Sequence, residues 1–137
     1  MKKKLNCIML IDDEPTTNFY NTLVIEDAHC TEHIQVCESG PEALDYLKKP
    51  QAGGYCNPAI VFLDINMPEM SGWEFLDLYD KLPPEQKAQV IIVMLTTSLN
   101  PDDQVKAKER GVEKFTSKPL TTAILMDIIK RKFPDHL

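Results

Sequence analysis

Ala59-Ile60-Val61-Phe62-Leu63-Asp64-Ile65-Asn66-Met67-Pro68-Glu69-Met70-Ser71-Gly72 is the stretch on which the reading of the fold turns. Its first five residues are all apolar and stop on an acid, the pattern of a short strand buried on both faces, as in a parallel sheet. Pro68 interrupts the turn that follows. Ser71 can then accept an early backbone N–H, and Phe75, Leu76 and Tyr79 recur at helical spacing until Pro83-Pro84 ends the run. The unit is strand, acidic turn, helix.

The same unit recurs on both sides of this stretch. Residues 7 to 11 form an apolar run that ends on Asp12-Asp13, and residues 90 to 95 form another that ends on Thr96-Thr97. Residues 34 to 37 and 113 to 117 are weaker strand candidates, less apolar and so expected nearer the sheet edges. Helical spacing fills the gaps. A first helix follows Pro15, with Phe19 and Leu23 four apart on one face, and a second opens at Ser39 and Pro41 and carries Ala43, Leu44 and Leu47. Asn100-Pro101 opens a fourth, and a fifth after Pro119 carries Ile124, Leu125 and Ile128. Five alternations of strand and helix predict an α/β fold: a doubly wound, five-stranded parallel sheet with helices on both faces. The one loop-like insertion covers residues 49 to 58 and reads as a surface excursion before the third strand.

A chain of 137 residues suits one domain, expected over 1–137 with its core from about 5 to 133. Its 43% hydrophobic and 26% charged residues are the balance of a soluble globular protein. No apolar run is long enough to span a membrane. Met1-Lys2-Lys3-Lys4-Leu5 starts like a signal peptide, but the apolar stretch behind it breaks at Asp12-Asp13, so the expected location is cytoplasmic. A net charge of −6 and a pI near 5.0 argue against nucleic acid as a partner, since the basic residues read as scattered or terminal. Cys7, Cys30, Cys37 and Cys56 contain no CxxC pair, which makes reduced thiols the default. His29 and His33 stand four apart around Cys30, yet with no fourth ligand nearby they read as a solvated connection rather than a metal site.

In open parallel sheets, ligands bind beyond the carboxyl ends of the strands, where the winding reverses. The polar residues at those ends are Asp12-Asp13, Asp64, Thr96-Thr97 and Ser117-Lys118-Pro119. Each alone has an ordinary explanation as a cap or a turn. Together they would bring three carboxylates, a hydroxyl and an ammonium to one edge. Three acids raise one another's pKa unless a hard cation offsets them, and magnesium suits such a set. Asp13 and Asp64 can bind it directly, Asp12 through a water, and Asn66 through its backbone carbonyl. Lys118 and Thr96 are suited to the spread negative charge of a phosphoryl group, and Asp64 is the best placed carboxylate to accept one as an acyl phosphate. The Lys118-Pro119 bond, whose cis form costs only about 0.5–1 kcal/mol, is expected to be cis.

The chain resembles the receiver domains of bacterial response regulators, from about residue 5 to residue 133. The matching residues are Asp12-Asp13, the block from Phe62 through Asp64 and Met67-Pro68 to Gly72, then Thr96, and Lys118-Pro119. The resemblance implies the flavodoxin-like strand order 2-1-3-4-5, which chemotaxis receivers share. It further implies a histidine-kinase or histidine-phosphotransfer donor, a Mg2+-dependent phosphorylation of Asp64, and a stand-alone regulator in a two-component phosphorelay rather than an enzyme with turnover. Thr96 matches the family's spacing to Lys118 better than Thr97 does, and Phe115 falls at the aromatic switch position. The expected output face is the fourth helix, fifth strand and fifth helix, binding a downstream protein or a second copy of the chain, with Met126 and Phe133 expected to point away from the sheet. An aspartate-nucleophile phosphohydrolase is the competing reading. It would need a second acid two residues beyond Asp64, and Asn66 stands there. A phosphate-independent interaction domain is the third, and the complete acidic set counts against it.

Overall fold

The computed structural model describes residues 4–48, 50, 51, 54, 55, 58–84, 91–97 and 99–134. The chain runs β1 (Ile8–Ile11), α1 (Pro15–Ala28), β2 (Ile34–Cys37), α2 (Gly40–Lys48), β3 (Pro50–Gln51), β4 (Gly54–Tyr55), β5 (Ile60–Asp64), α3 (Gly72–Asp80), β6 (Ile91–Thr96), α4 (Pro101–Glu109), β7 (Lys114–Ser117) and α5 (Thr122–Lys132). β3 and β4 form a separate antiparallel hairpin. The other five strands make one parallel sheet in the order β2-β1-β5-β6-β7, which is the expected 2-1-3-4-5 once the hairpin is set aside. The two least apolar strands, β2 and β7, lie at its edges, as their composition predicted.

Alternation along the strands splits the core in two. Met9, Ile11, Val61, Leu63 and Met94 face a layer built from α2 and α3, with Ala107 of α4. Ile8, Leu10, Ile60, Phe62, Val93 and Leu95 face the other layer, where Ile25 of α1 meets Leu125, Ile128 and Ile129 of α5. Both faces of the central strands are dry, which is why those runs are continuously apolar.

The helix starts follow the expected chemistry. Ser71 and Glu74 form a reciprocal capping box, Asn100 accepts the Asp102 N–H at 2.8 Å, and Ser39 accepts the Glu42 N–H at 3.2 Å. Thr121 caps α5 through the Ile124 N–H, a role that the sequence alone had not indicated. The insertion falls after α2, which ends at Lys48, and four of its described residues, Pro50, Gln51, Gly54 and Tyr55, form the β3–β4 pair; residues 49, 52, 53, 56 and 57 lie outside the described ones, as does residue 90 of the predicted fourth strand.

The Phe19–Leu23 spacing does mark a helix, and that face looks outward: Phe19 is 67% and Leu23 47% exposed, while α1 turns Asn18, Asn21 and Ile25 inward. One expectation needs correcting. Phe133 does not point away from the sheet. It packs against the core shared by α1 and α5, because it caps α5 with its N–H still bonded to the Ile129 carbonyl, and Met126 is half-buried.

Candidate functional site

The winding of the sheet reverses between the parallel neighbours β1 and β5, and the register sets what meets there. Ile11 pairs with Leu63, so the residues that follow, Asp12 and Asp64, emerge side by side. One carboxylate oxygen from each of Asp12, Asp13 and Asp64 lies within 4.8 Å of the others, the only such cluster of three metal-ligating side chains among the described residues. Asp12 and Asp64 are buried and Asp13 is half-buried.

Asp12 is held at both oxygens. Its Oδ1 accepts the Glu14 N–H at 2.9 Å, and its Oδ2 lies 2.7 Å from the Lys118 ammonium. Lys118 also reaches Asp64 Oδ1 at 3.2 Å, so the single cation bridges the two buried acids, with Glu14 a distant third at 3.8 Å. The Lys118-Pro119 bond is cis, as expected, and the Lys118 N–H donates to the Thr96 carbonyl at 2.7 Å.

Burial, more than the neighbouring charge, governs Asp64. Loss of solvation is the largest influence, the Asp12 carboxylate adds to it, and the Lys118 charge and the Asn66 N–H oppose it, leaving the pKa at about 6. For Lys118, burial alone would lower the pKa, but hydrogen bonding and charge from Asp12, then Asp64, prevail and raise it. The pocket therefore holds more carboxylate than it can comfortably charge, and a divalent cation fits that donor set.

The loop after β5 is held close by its glycine. The Gly72 N–H donates to the Ile65 carbonyl at 2.8 Å, and a Cβ on Gly72 would sit 2.7 Å from the Asp64 carbonyl oxygen. Any larger residue would push α3 away from the acid.

Thr96 is buried at the end of β6, while Thr97 is exposed, which separates the two hydroxyls that the sequence left adjacent. Met94 pairs with Phe115, and Thr96 with Ser117, so Thr96 and Phe115 project from the same sheet face on neighbouring strands. Phe115 is partly buried against the α2–α3 layer. Ser117 is exposed. His29, Cys30 and His33 form no metal-ligating cluster; His29 closes α1 in a left-handed conformation, and Cys30 is a buried thiol whose pKa burial raises. Asn18 and Asn21 escaped the sequence reading, since their polarity on an inward helix face becomes visible only once α1 is oriented.

A parallel sheet wound in this order, with an acidic, lysine-bridged pocket at its switch point, defines a class. The chain belongs to the response regulator receiver domain family, whose model matches residues 8–130. A two-component response regulator from Cytophaga hutchinsonii has a similar structure, with a TM-score of 0.84 and 37% identity, covering 94% of this chain and 97% of that one. Hybrid signal transduction histidine kinase C of Dictyostelium discoideum is 33% identical over 133 residues, which are 93% of this chain but 10% of the kinase. The probable methanogenesis regulatory protein FilR2 of Methanothrix harundinacea is 31% identical, covering 83% of this chain and 72% of that protein. The chain is thus a receiver domain of two-component signalling. Among the described residues no helix is long and apolar enough to cross a membrane.

Proposed function

We propose that the chain is a phosphorylation switch in which Asp64 accepts a phosphoryl group from a phosphohistidine donor, a histidine kinase or histidine-phosphotransfer protein, in the cytoplasm. The observation that carries this reading is the bridging of Asp12 and Asp64 by Lys118, at 2.7 and 3.2 Å, inside a cluster of three acids. Asp13, Asp64 and the Asn66 backbone carbonyl would hold Mg2+ directly. Asp12, with both oxygens already engaged, would act through a bound water. The metal supplies neutralisation of phosphoryl charge. An Asp64 oxygen forms the new O–P bond as the donor's N–P bond breaks in line; the bonding pair stays on the imidazole nitrogen, and with a proton on the ring's other nitrogen the histidine leaves neutral. Lys118 stabilises the phosphoryl oxygens with a charge that burial prevents water from screening.

Phe19, Tyr20 and Leu23 form an exposed apolar patch on α1, the helix that starts beside Asp13, and this favours a donor that docks as a folded protein. For readout, the Thr96 hydroxyl moves toward a phosphorylated Asp64 and Phe115 fills the space it leaves, reshaping the face formed by α4, β7 and α5. Val105 and Leu99, both exposed on or just before α4, give a downstream protein apolar surface there.

The test is incubation with acetyl phosphate and Mg2+, followed by peptide mass mapping. Phosphate is expected on the Asp64 peptide, absent in Asp64→Asn, and undiminished labelling of that variant would refute the assignment. Thr96→Ala is expected to keep the phosphate yet lose any phosphate-dependent change in partner binding or self-association. A full shift in that variant would mean that the message leaves by another route.

A further inference from the structure

α1 turns two carboxamides, not two hydrocarbons, into the protein. Asn18 is 4% and Asn21 2% exposed, and neither is a residue a helix normally buries. Their hydrogen bonds run to the two chain segments that carry the site's charges. Asn18 Nδ2 donates to the backbone carbonyl of Asp12 at 2.8 Å. Asn21 Oδ1 accepts the N–H of Leu120 at 3.1 Å, a contact 99 residues apart in the chain.

Leu120 stands two residues beyond Lys118, whose own N–H is fixed to the Thr96 carbonyl. The segment that delivers the lysine is therefore tied at both ends, to β6 through Thr96 and to α1 through Asn21. The Asp12 backbone, which delivers the other half of the 2.7 Å ion pair, is tied to the same helix one turn earlier. The Asn18 carboxamide keeps its orientation at a cost, because its Oδ1 is buried without a hydrogen-bond partner among the described residues. Packing alone would be served better by an apolar side chain at either position.

We propose that Asn18 and Asn21 are positioning residues of the acceptor site: from the inner face of α1 they clamp the ends of β1 and of the Lys118–Leu120 segment, so that the lysine ammonium is held between Asp12 and Asp64. They touch neither phosphate nor metal, and act through Lys118 and Asp12. The proposal rests on the reading of Asp64 as acceptor and Lys118 as its charge partner.

A clamp on a cation has a signature that a merely structural role lacks. Lys118 and a metal ion compete for the same carboxylates, so releasing the lysine weakens phosphoryl stabilisation while leaving the acids freer for Mg2+. In Asn21→Leu, phosphorylation by acetyl phosphate at saturating Mg2+ is expected to slow roughly tenfold, while calorimetry without any phosphodonor shows Mg2+ binding roughly threefold tighter. Mg2+ affinity unchanged or weakened in Asn21→Leu overturns the proposal, as does a wild-type rate in that variant. Should Asn21→Leu not fold, Asn18→Leu, which releases the Asp12 carbonyl, is measured in its place against the same outcomes. If the parent protein takes up no phosphate at all, the acceptor reading fails by itself, and the Mg2+ comparison still decides whether the clamp exists.

Discussion

α1 and α5 lie against the same face of the sheet, yet they are built on opposite rules. α5 buries Leu125, Ile128 and Ile129, takes a threonine cap and carries Lys130, Arg131 and Lys132 in its last turn, where they complement the helix dipole. α1 buries Asn18, Asn21 and Ile25, has no side-chain cap, and exposes Phe19, Tyr20 and Leu23. Two helices on one sheet face thus serve different ends. α5 holds the fold together, whereas α1 uses its inner face to fix the site and leaves its apolar residues outside for something else to cover.

The largest effect is expected from cutting one buried methyl-rich side chain out of α5. Ile128 is fully buried, so Ile128→Ala should cost about 2–5 kcal/mol of unfolding free energy, read from urea denaturation at neutral pH. A loss near zero would mean that α5 is not the stabilising partner.

The next effect tests the cost of the site that α1 serves. Asp64 has a folded-state pKa of about 6, above its ordinary 3.8, so the folded protein holds the proton more tightly than the unfolded chain does. That contribution to stability is present below about pH 4 and is lost as pH rises through about 6. Asp64→Asn should therefore stabilise the metal-free protein at pH 7.5 by on the order of 1–3 kcal/mol, the lower end reflecting the partner Lys118 loses. The gain should fade toward pH 4. A gain that does not change with pH would assign it to something other than this carboxyl.

Smaller again is the cap. Thr121→Ala should cost about 1 kcal/mol, since the Ile124 N–H loses its acceptor, whereas Glu14→Ala, at the uncapped start of α1, should cost less than that as a cap. Thermal melting of the two variants sets one helix start against the other.

The smallest effect on stability is expected on the outer face of α1. Leu23→Ala should change it by no more than about 0.5 kcal/mol, because the side chain is 47% exposed. The same substitution combined with Phe19→Ala should slow phosphoryl transfer from a phosphorylated histidine protein while leaving uptake from acetyl phosphate unchanged. Equal slowing with both donors would remove the docking role from this face.

Much of this molecule was legible in the chain itself. Apolar runs ending on Asp12-Asp13, Asp64 and Thr96, with a cap-and-proline rhythm between them, determine strands, helices and their order, because local chemistry sets where a strand stops and where a helix can start. The same runs determine that the acids meet at one sheet edge, since parallel strands all end on the same side. The orientation of α1 was not legible. Phe19 and Leu23 spaced four apart mark one face of a helix, but a helical period gives a stripe and not its direction. Direction was decided by what α1 packs against: a backbone carbonyl at Asp12 and an N–H at Leu120, both buried and both needing partners, which hydrocarbon cannot supply and Asn18 and Asn21 can. Which of Thr96 and Thr97 is buried was decided in the same way, by the pleat at the end of β6, which turns one side chain inward and leaves the next exposed.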